Sequence, residues 1–419
     1  MNIPFLLFLF IVGAEYVGLS NYVPVYRALP FALGISVVLF LYVLSKNPIS
    51  DAYRYTQLKY FGFFILLTAL ALFHGLIHSY AIDPLKQQIG YLVLLLVGFY
   101  LMDDFRKIAL YAMFFVSIHI FMVIVNFEKF QQSARVGFYK AGYFMGDGND
   151  FAWSLNIALP MALFLTIYFK KPLFKVAVLG AFFLILIGII GTQSRGATLA
   201  LAAGLIYMWL MVFKEKIRGL VYVAIIAGAI AFLAPSGYFE RMDTIQNYEE
   251  DGSAMGRLKA WGHATEMALD HPFLGVGAGS FNSAYGRLYR KPGDPVRWIS
   301  THSVYFKILA EYSFIGVFAY IMIIIHTLIL NRKTRWKIEL APAPEKISVP
   351  VLWPEFLNMS TVGFTVAAMF LSGVNYPHLY LLVALSMATS RIVSREVEQQ
   401  KTSGEEDHAL PERPVMGFR

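Results

Sequence analysis

Three cationic side chains, one run of glycines and a histidine are the residues in this chain whose types and spacing suit chemistry. Arg195 follows Gly191-Thr192-Gln193-Ser194 and precedes Gly196, in a turn between two apolar runs that is almost too short to reach bulk water. A guanidinium there is costly unless it is paired, snorkels to the interface or lines a wet cavity. In a Gly-flanked turn its planar fork is a fixed bidentate donor that suits phosphate, and the plainer alternative is an interfacial anchor. Arg257 and Lys259 stand in Gly256-Arg257-Leu258-Lys259-Ala260-Trp261, the start of an expected amphipathic helix capped by Ser253 and ended by Asp270-His271-Pro272. Leu258, Trp261, Thr265, Ala268 and Leu269 follow helical spacing, leaving Arg257, Lys259 and His263 for a polar face, which by composition alone is a solvated surface. Gly275, Gly277 and Gly279 punctuate HPFLGVGAGSF, His271 to Phe281, a loop that suits a phosphate cradle but lacks the following helix and lysine of a P-loop. His302 opens a long apolar run, with Glu311 about two and a half turns further in. An imidazole at a membrane mouth titrates near working pH and suits a general base, though a hydrogen-bonded structural role is the commoner one.

The elements that must hold these residues are membrane helices. The 419 residues are 58% hydrophobic and 15% charged, far from the roughly one-quarter charged composition of soluble domains. A helix rising about 1.5 Å per residue needs roughly 20 apolar residues to cross a bilayer core, and this chain supplies such runs from end to end. They fall at about 3–19, 28–45, 60–78, 88–102, 108–126, 151–169, 174–191, 197–213, 219–234, 303–330, 356–372 and 378–390, predicting an all-α polytopic protein of about twelve transmembrane helices. The first run lacks a basic leader and carries Glu15, so it is expected to stay as a span.

The net charge of +8 is scattered in short groups between the runs and forms no basic face, which argues against nucleic acid. Those groups act as topology signals. Lys46, Arg54 and Lys59; Arg106 and Lys107; Lys170, Lys171 and Lys175; Lys214, Lys216 and Arg218; and Arg332 to Lys337 fall on one side and predict cytoplasmic termini. The expected organisation is helices one to nine over 1–234, one large outer loop over 235–302, helices ten to twelve over 303–390, and a charged, disordered tail over 391–419. The absence of cysteine leaves no thiolate site. Outside there is no clear D-x-D metal motif, and Asp147 and Asp150 are the nearest carboxylates.

Taken in order, GNDFA at 148–152, TQSRGATLALAAGLI from Thr192, RLKAW at 257–261, HPFLGVGAGSF from His271, and His302-Ser303 with a downstream Glu311 resemble the O-antigen ligase and polymerase superfamily over about 137–316. Arg195 and Leu199 meet the family's Arg with Leu four positions on, whereas Ser313 replaces the first Gly of its E-x-G-x-x-G. The resemblance implies a GT-C-like bundle in the bacterial inner membrane, with its active site facing the periplasm. By it, Arg195 and Arg257 bind the diphosphate of an undecaprenyl-diphosphate-linked glycan donor, and His302 positions or deprotonates the acceptor hydroxyl. Lys259, Gly275 and Gly277 join the substrate-binding set.

Such a donor is already activated, so the resemblance and the chemistry agree on an inverting glycosyltransferase with no cofactor and no metal. The reading is of an O-antigen ligase acting on a lipid A-core acceptor, with membrane lipids around it. O-antigen polymerases and protein O-oligosaccharyltransferases use the same donor and stay open. A transporter or flippase is the remoter alternative, because the spans are almost free of charge, Glu15, His74, His119 and His326 being the main exceptions, while the notable polar groups gather at the outer face.

Overall fold

The computed structural model describes residues 2–23, 25, 31–128, 145–234, 238–239, 252–293, 299–371 and 373–408, and among them every regular element is helical. Lipid supplies no hydrogen-bond partner to the backbone, and a helix satisfies its own. The twelve apolar runs appear as α1 (Ile3–Val17), α2 (Phe31–Lys46), α3 (Thr56–His74), α4 (Ile82–Leu101), α5 (Phe105–Val125), α6 (Gly148–Tyr168), α7 (Pro172–Gly191), α8 (Arg195–Tyr207), α9 (Lys216–Leu233), α11 (Val304–Glu339), α12 (Trp353–Ala367) and α13 (His378–His408). The helix of the large loop between α9 and α11, the loop expected to lie outside, is α10 (Gly252–Asp270).

Among the described residues, eight helical stretches are long and apolar enough to cross a membrane by length and composition, and α1 and α2 are shorter apolar helices. The protein is thus a polytopic membrane protein. Helix α12 misses the apolar standard because it buries Glu355, Asn358, Ser360 and Thr361 inside the bundle. The clearest mark of lipid is α9, apolar on all sides from Gly219 onward yet only 6% buried, against 78% for α6. An all-round apolar helix on a periphery needs a hydrocarbon solvent.

Helix α11 packs on α3, α10, α12 and α13, while α6 packs on α5, α7, α8 and α12, so α11 and α12 form the spine that carries the site. At the end opposite the large loop, the Glu355 carboxylate accepts from Arg335 Nη1 at 3.1 Å and from the Tyr207 hydroxyl. Asn358 donates to Tyr207 Oη at 3.0 Å and accepts from Asn331 at 3.0 Å, which satisfies the polar groups α12 buries.

The stretch from Arg391, expected to be disordered, instead continues α13 to His408. Ile392 and Val393 are buried, the Arg391 guanidinium lies 4.5 Å from the Phe99 ring centre, and Gln400 exchanges two 3.1 Å hydrogen bonds with the backbone of Ala343. The charged composition of this segment hides a buried stripe. Residues 409–419 lie outside the described part.

Candidate active site at the large-loop end of the bundle

His302 is held in an unusual backbone. Its φ is +45°, a left-handed conformation that costs a non-glycine residue free energy. The residues on either side are buried while His302 itself is exposed. The Thr301 hydroxyl donates to the Ser303 carbonyl at 2.9 Å, and the Ser303 side chain caps α11 by accepting from Phe306 N at 3.5 Å. The turn is therefore anchored on both sides, and the imidazole is the part left facing out.

Two charges bear on it. Protein around the ring limits the water that can solvate an imidazolium, which lowers the His302 pKa below the ordinary histidine value. Arg257 pushes the same way and Asp147 opposes, which brings His302, Arg257 and Asp147 into one electrostatic neighbourhood. A histidine kept neutral beside a guanidinium is free to accept a proton near neutral pH.

Arg257 reaches this neighbourhood because of its face on α10. Ala260, Ala264, Met267 and Ala268 are buried, and at 3.6 residues per turn Arg257 and Trp261 extend that same face. The packing stripe is made of small residues and Met267, with Leu258 and Leu269 exposed, which corrects the expected apolar set, and His263, expected on the solvated face, is buried against Tyr285. Helix α10 begins at Gly252, so the backbone of Ser253 already lies within it. Lys259, two residues beyond Arg257, stands about 200° around the helix, and the structure does not bring it to His302. It lines a shallow groove with His263, Thr265, Glu266, Asp270 and Lys291.

The glycines turn out to be packing devices. Val276 N and Gly277 N donate to the carbonyls of Ala310 and Glu311 at 2.9 and 3.1 Å, and Gly275 N donates to His271 O at 3.0 Å. These carbonyls are open because α11 breaks at Ser313, whose φ is +55° and ψ −161°. The amides of Gly275 and Gly277 expected to cradle phosphate are thus spent on the protein. Both glycines have positive φ, and a Cβ on Gly275 would meet Ala310 O at 2.5 Å. The buried Glu311 carboxylate accepts from Phe281 N at 3.3 Å, capping the short helix Phe281–Ala284, so Glu311 holds the loop and is not a reserve base.

Arg195 is the first residue of α8, half-buried, with Ser194 capping the helix through Ala197 N at 3.3 Å. The next residue, Gly196, lies so close to Phe370 that a Cβ would meet it at 2.8 Å. Phe370 follows α12 directly, and near the end of α12 the Thr365 carbonyl accepts from Tyr305 Oη of α11 at 2.9 Å. Arg195 and His302 thus share one end of α12. The same end holds Asp150, which accepts from Tyr376 Oη at 3.2 Å, and Asp147, whose side chain caps α6 through Asn149 N at 2.7 Å. Tyr305 and Tyr376 tie the elements at this end together through these bonds, and sequence reasoning missed them because an aromatic at a span end is ordinary membrane composition. Residues 137–144 of the Gly- and aromatic-rich loop before α6 lie outside the described part.

The family comparison falls on this region. Residues 180–323 match the family model described as O-Antigen ligase. The match covers about a third of the chain and includes Arg195, Arg257, the glycine loop, His302 and the break at Ser313, so the resemblance to the O-antigen ligase and polymerase superfamily stands on the segment that builds the site. No curated protein matches the chain.

Proposed function

We propose that the protein is an O-antigen ligase that moves a glycan from undecaprenyl diphosphate to lipid A-core at the periplasmic face of the bacterial inner membrane, with both termini cytoplasmic and a GT-C-like bundle around the site. The observation that carries this reading is the pairing of an outward-facing, pKa-lowered His302 with Arg257 at the end of the bundle where Arg195 opens α8.

In this reading Arg195 and Arg257 grip the diphosphate and stabilise the charge that grows as it leaves. His302 Nδ1 or Nε2 takes the proton of the acceptor hydroxyl as that oxygen attacks the anomeric carbon from the opposite side, which inverts the centre. The pre-activated leaving group makes cations and a base sufficient, without nucleotide or metal. Asp150 is engaged by Tyr376, and Asp147 caps α6 and tunes His302, roles that account for both carboxylates. Lys259 stands away from this site and serves a peripheral contact at most.

Lipopolysaccharide from a deletion strain, analysed by mass, tests the assignment. Core carrying no O-antigen is expected. A single repeat on core would make the protein a polymerase, and intact lipopolysaccharide with unmodified glycoproteins would move it to protein O-glycosylation.

A further inference from the structure

We propose that Trp261 is the positioning residue for His302, and that α10 thereby sets the distance between the diphosphate-binding Arg257 and the acceptor base. This deepens the ligase reading and rests on it. The indole Nε1–H of Trp261 donates to the carbonyl of Thr301, the residue just before His302, at 2.8 Å. The indole also lies flat on Phe306, ring centres 4.7 Å apart and planes 7° from parallel. Phe306 is in the first turn of α11, and its amide is the one Ser303 caps. Trp261 therefore touches the chain on both sides of His302, one contact polar and one stacked.

The turn needs such holding. A left-handed φ at a non-glycine residue persists only where the surroundings determine it, and His302 itself, being exposed, has little packing of its own to do so. Thr301 and Ser303 are buried, and the Thr301 carbonyl is the handle by which α10 reaches the turn. Four residues before Trp261, on the same face of the same helix, stands Arg257. A rigid helix that pegs the base through one side chain and the leaving group through another one turn away fixes their spacing more tightly than two independent loops. The indole does not touch the reacting atoms in this arrangement, and it acts through Thr301 and His302.

Trp261→Phe removes the N–H donor and keeps an aromatic ring over Phe306. In a transfer assay with purified protein, undecaprenyl-diphosphate-linked glycan and lipid A-core, its kcat is expected to fall by about 10-fold or more with the donor KM nearly unchanged. The acid limb of the pH profile should move up towards the ordinary histidine value, because a loosened ring leaves the environment that lowers its pKa. Placed on His302→Ala, Trp261→Phe should cost nothing further, since the group it positions is gone. Phe306→Leu keeps the indole bond and should lose less activity, while thermal denaturation of each variant reads folding separately. Wild-type kcat in Trp261→Phe, an equal loss on the His302→Ala background, or a larger loss in Phe306→Leu would each overturn the positioning role. Normal transfer by His302→Ala would overturn the role of His302, and this proposal with it.

Discussion

Gly277 sits so close to Gly75 that a Cβ on Gly277 would lie 2.4 Å from the Gly75 Cα, which puts two glycine backbones in contact where the large loop meets the end of α3. Gly277 also has φ +97°, so an L side chain there is opposed both by its own backbone and by its neighbour. Gly277→Ala is expected to destabilise by roughly 2–6 kcal/mol, the sum of strain and overpacking at about 1–3 kcal/mol each. Thermal unfolding in detergent checks this, and a wild-type midpoint would mean that the loop does not pack on α3 as described.

Ser313 gives a finer test of the break in α11. The residue adopts a conformation that suits glycine, and its hydroxyl donates to Pro272 O at 2.7 Å. Ser313→Gly gives up that bond, worth about 1 kcal/mol, and relieves strain on the order of 1–3 kcal/mol. Ser313→Ala gives up the bond and keeps the strain. The glycine variant is expected to be at least as stable as wild type, and the alanine variant less stable by about 1 kcal/mol. The reverse order would mean that the backbone there is not strained.

The spans are readable because lipid imposes long apolar runs, and the place of His302 at the start of α11 is readable because one of those runs begins there. The contacts that give the site its shape are not. Trp261 meets Thr301 forty residues away, a pairing that no local spacing encodes. Ser313 stands where the family pattern has a glycine, but nothing in its own side chain announces a positive φ. Lys259 was grouped with Arg257 by charge, although the helical angle between them separates the two. The glycine loop looked like a phosphate cradle because glycine marks close backbone approach without saying what approaches, and here it is α3 and α11.

Arg195→Lys tests whether charge alone serves the diphosphate. An ammonium keeps the charge and loses the planar fork. Loss of a charge-assisted bond of about 1.5–3 kcal/mol corresponds to a fall of roughly 10–150-fold in kcat/KM, so Lys is expected to be nearly as poor as Ala. Near-normal kcat/KM in the Lys variant, measured on folded protein, would reduce Arg195 to a point charge.

The pH profile tests the environment of His302. A general base works in its neutral form, so activity should fall as pH drops through its pKa, and with the pKa lowered by the protein that limits water around the ring and by Arg257, that limb lies below the ordinary histidine value. Asp147 is the charge that raises it. Asp147→Asn should therefore move the acid limb to lower pH, and a limb that stays put or moves upward would contradict the arrangement.

The most direct measurement is glycan transfer by the purified protein in lipid nanodiscs, with undecaprenyl-diphosphate-linked O-antigen as donor and lipid A-core as acceptor, in EDTA and without nucleotide. Product appears as a mass increase of the acceptor. The account predicts transfer by the wild type, and a fall of about 10²–10⁴-fold in turnover for His302→Ala with donor binding largely kept, the range typical of a lost acid–base group. No transfer unless a divalent ion is added, or full turnover in His302→Ala, would contradict it.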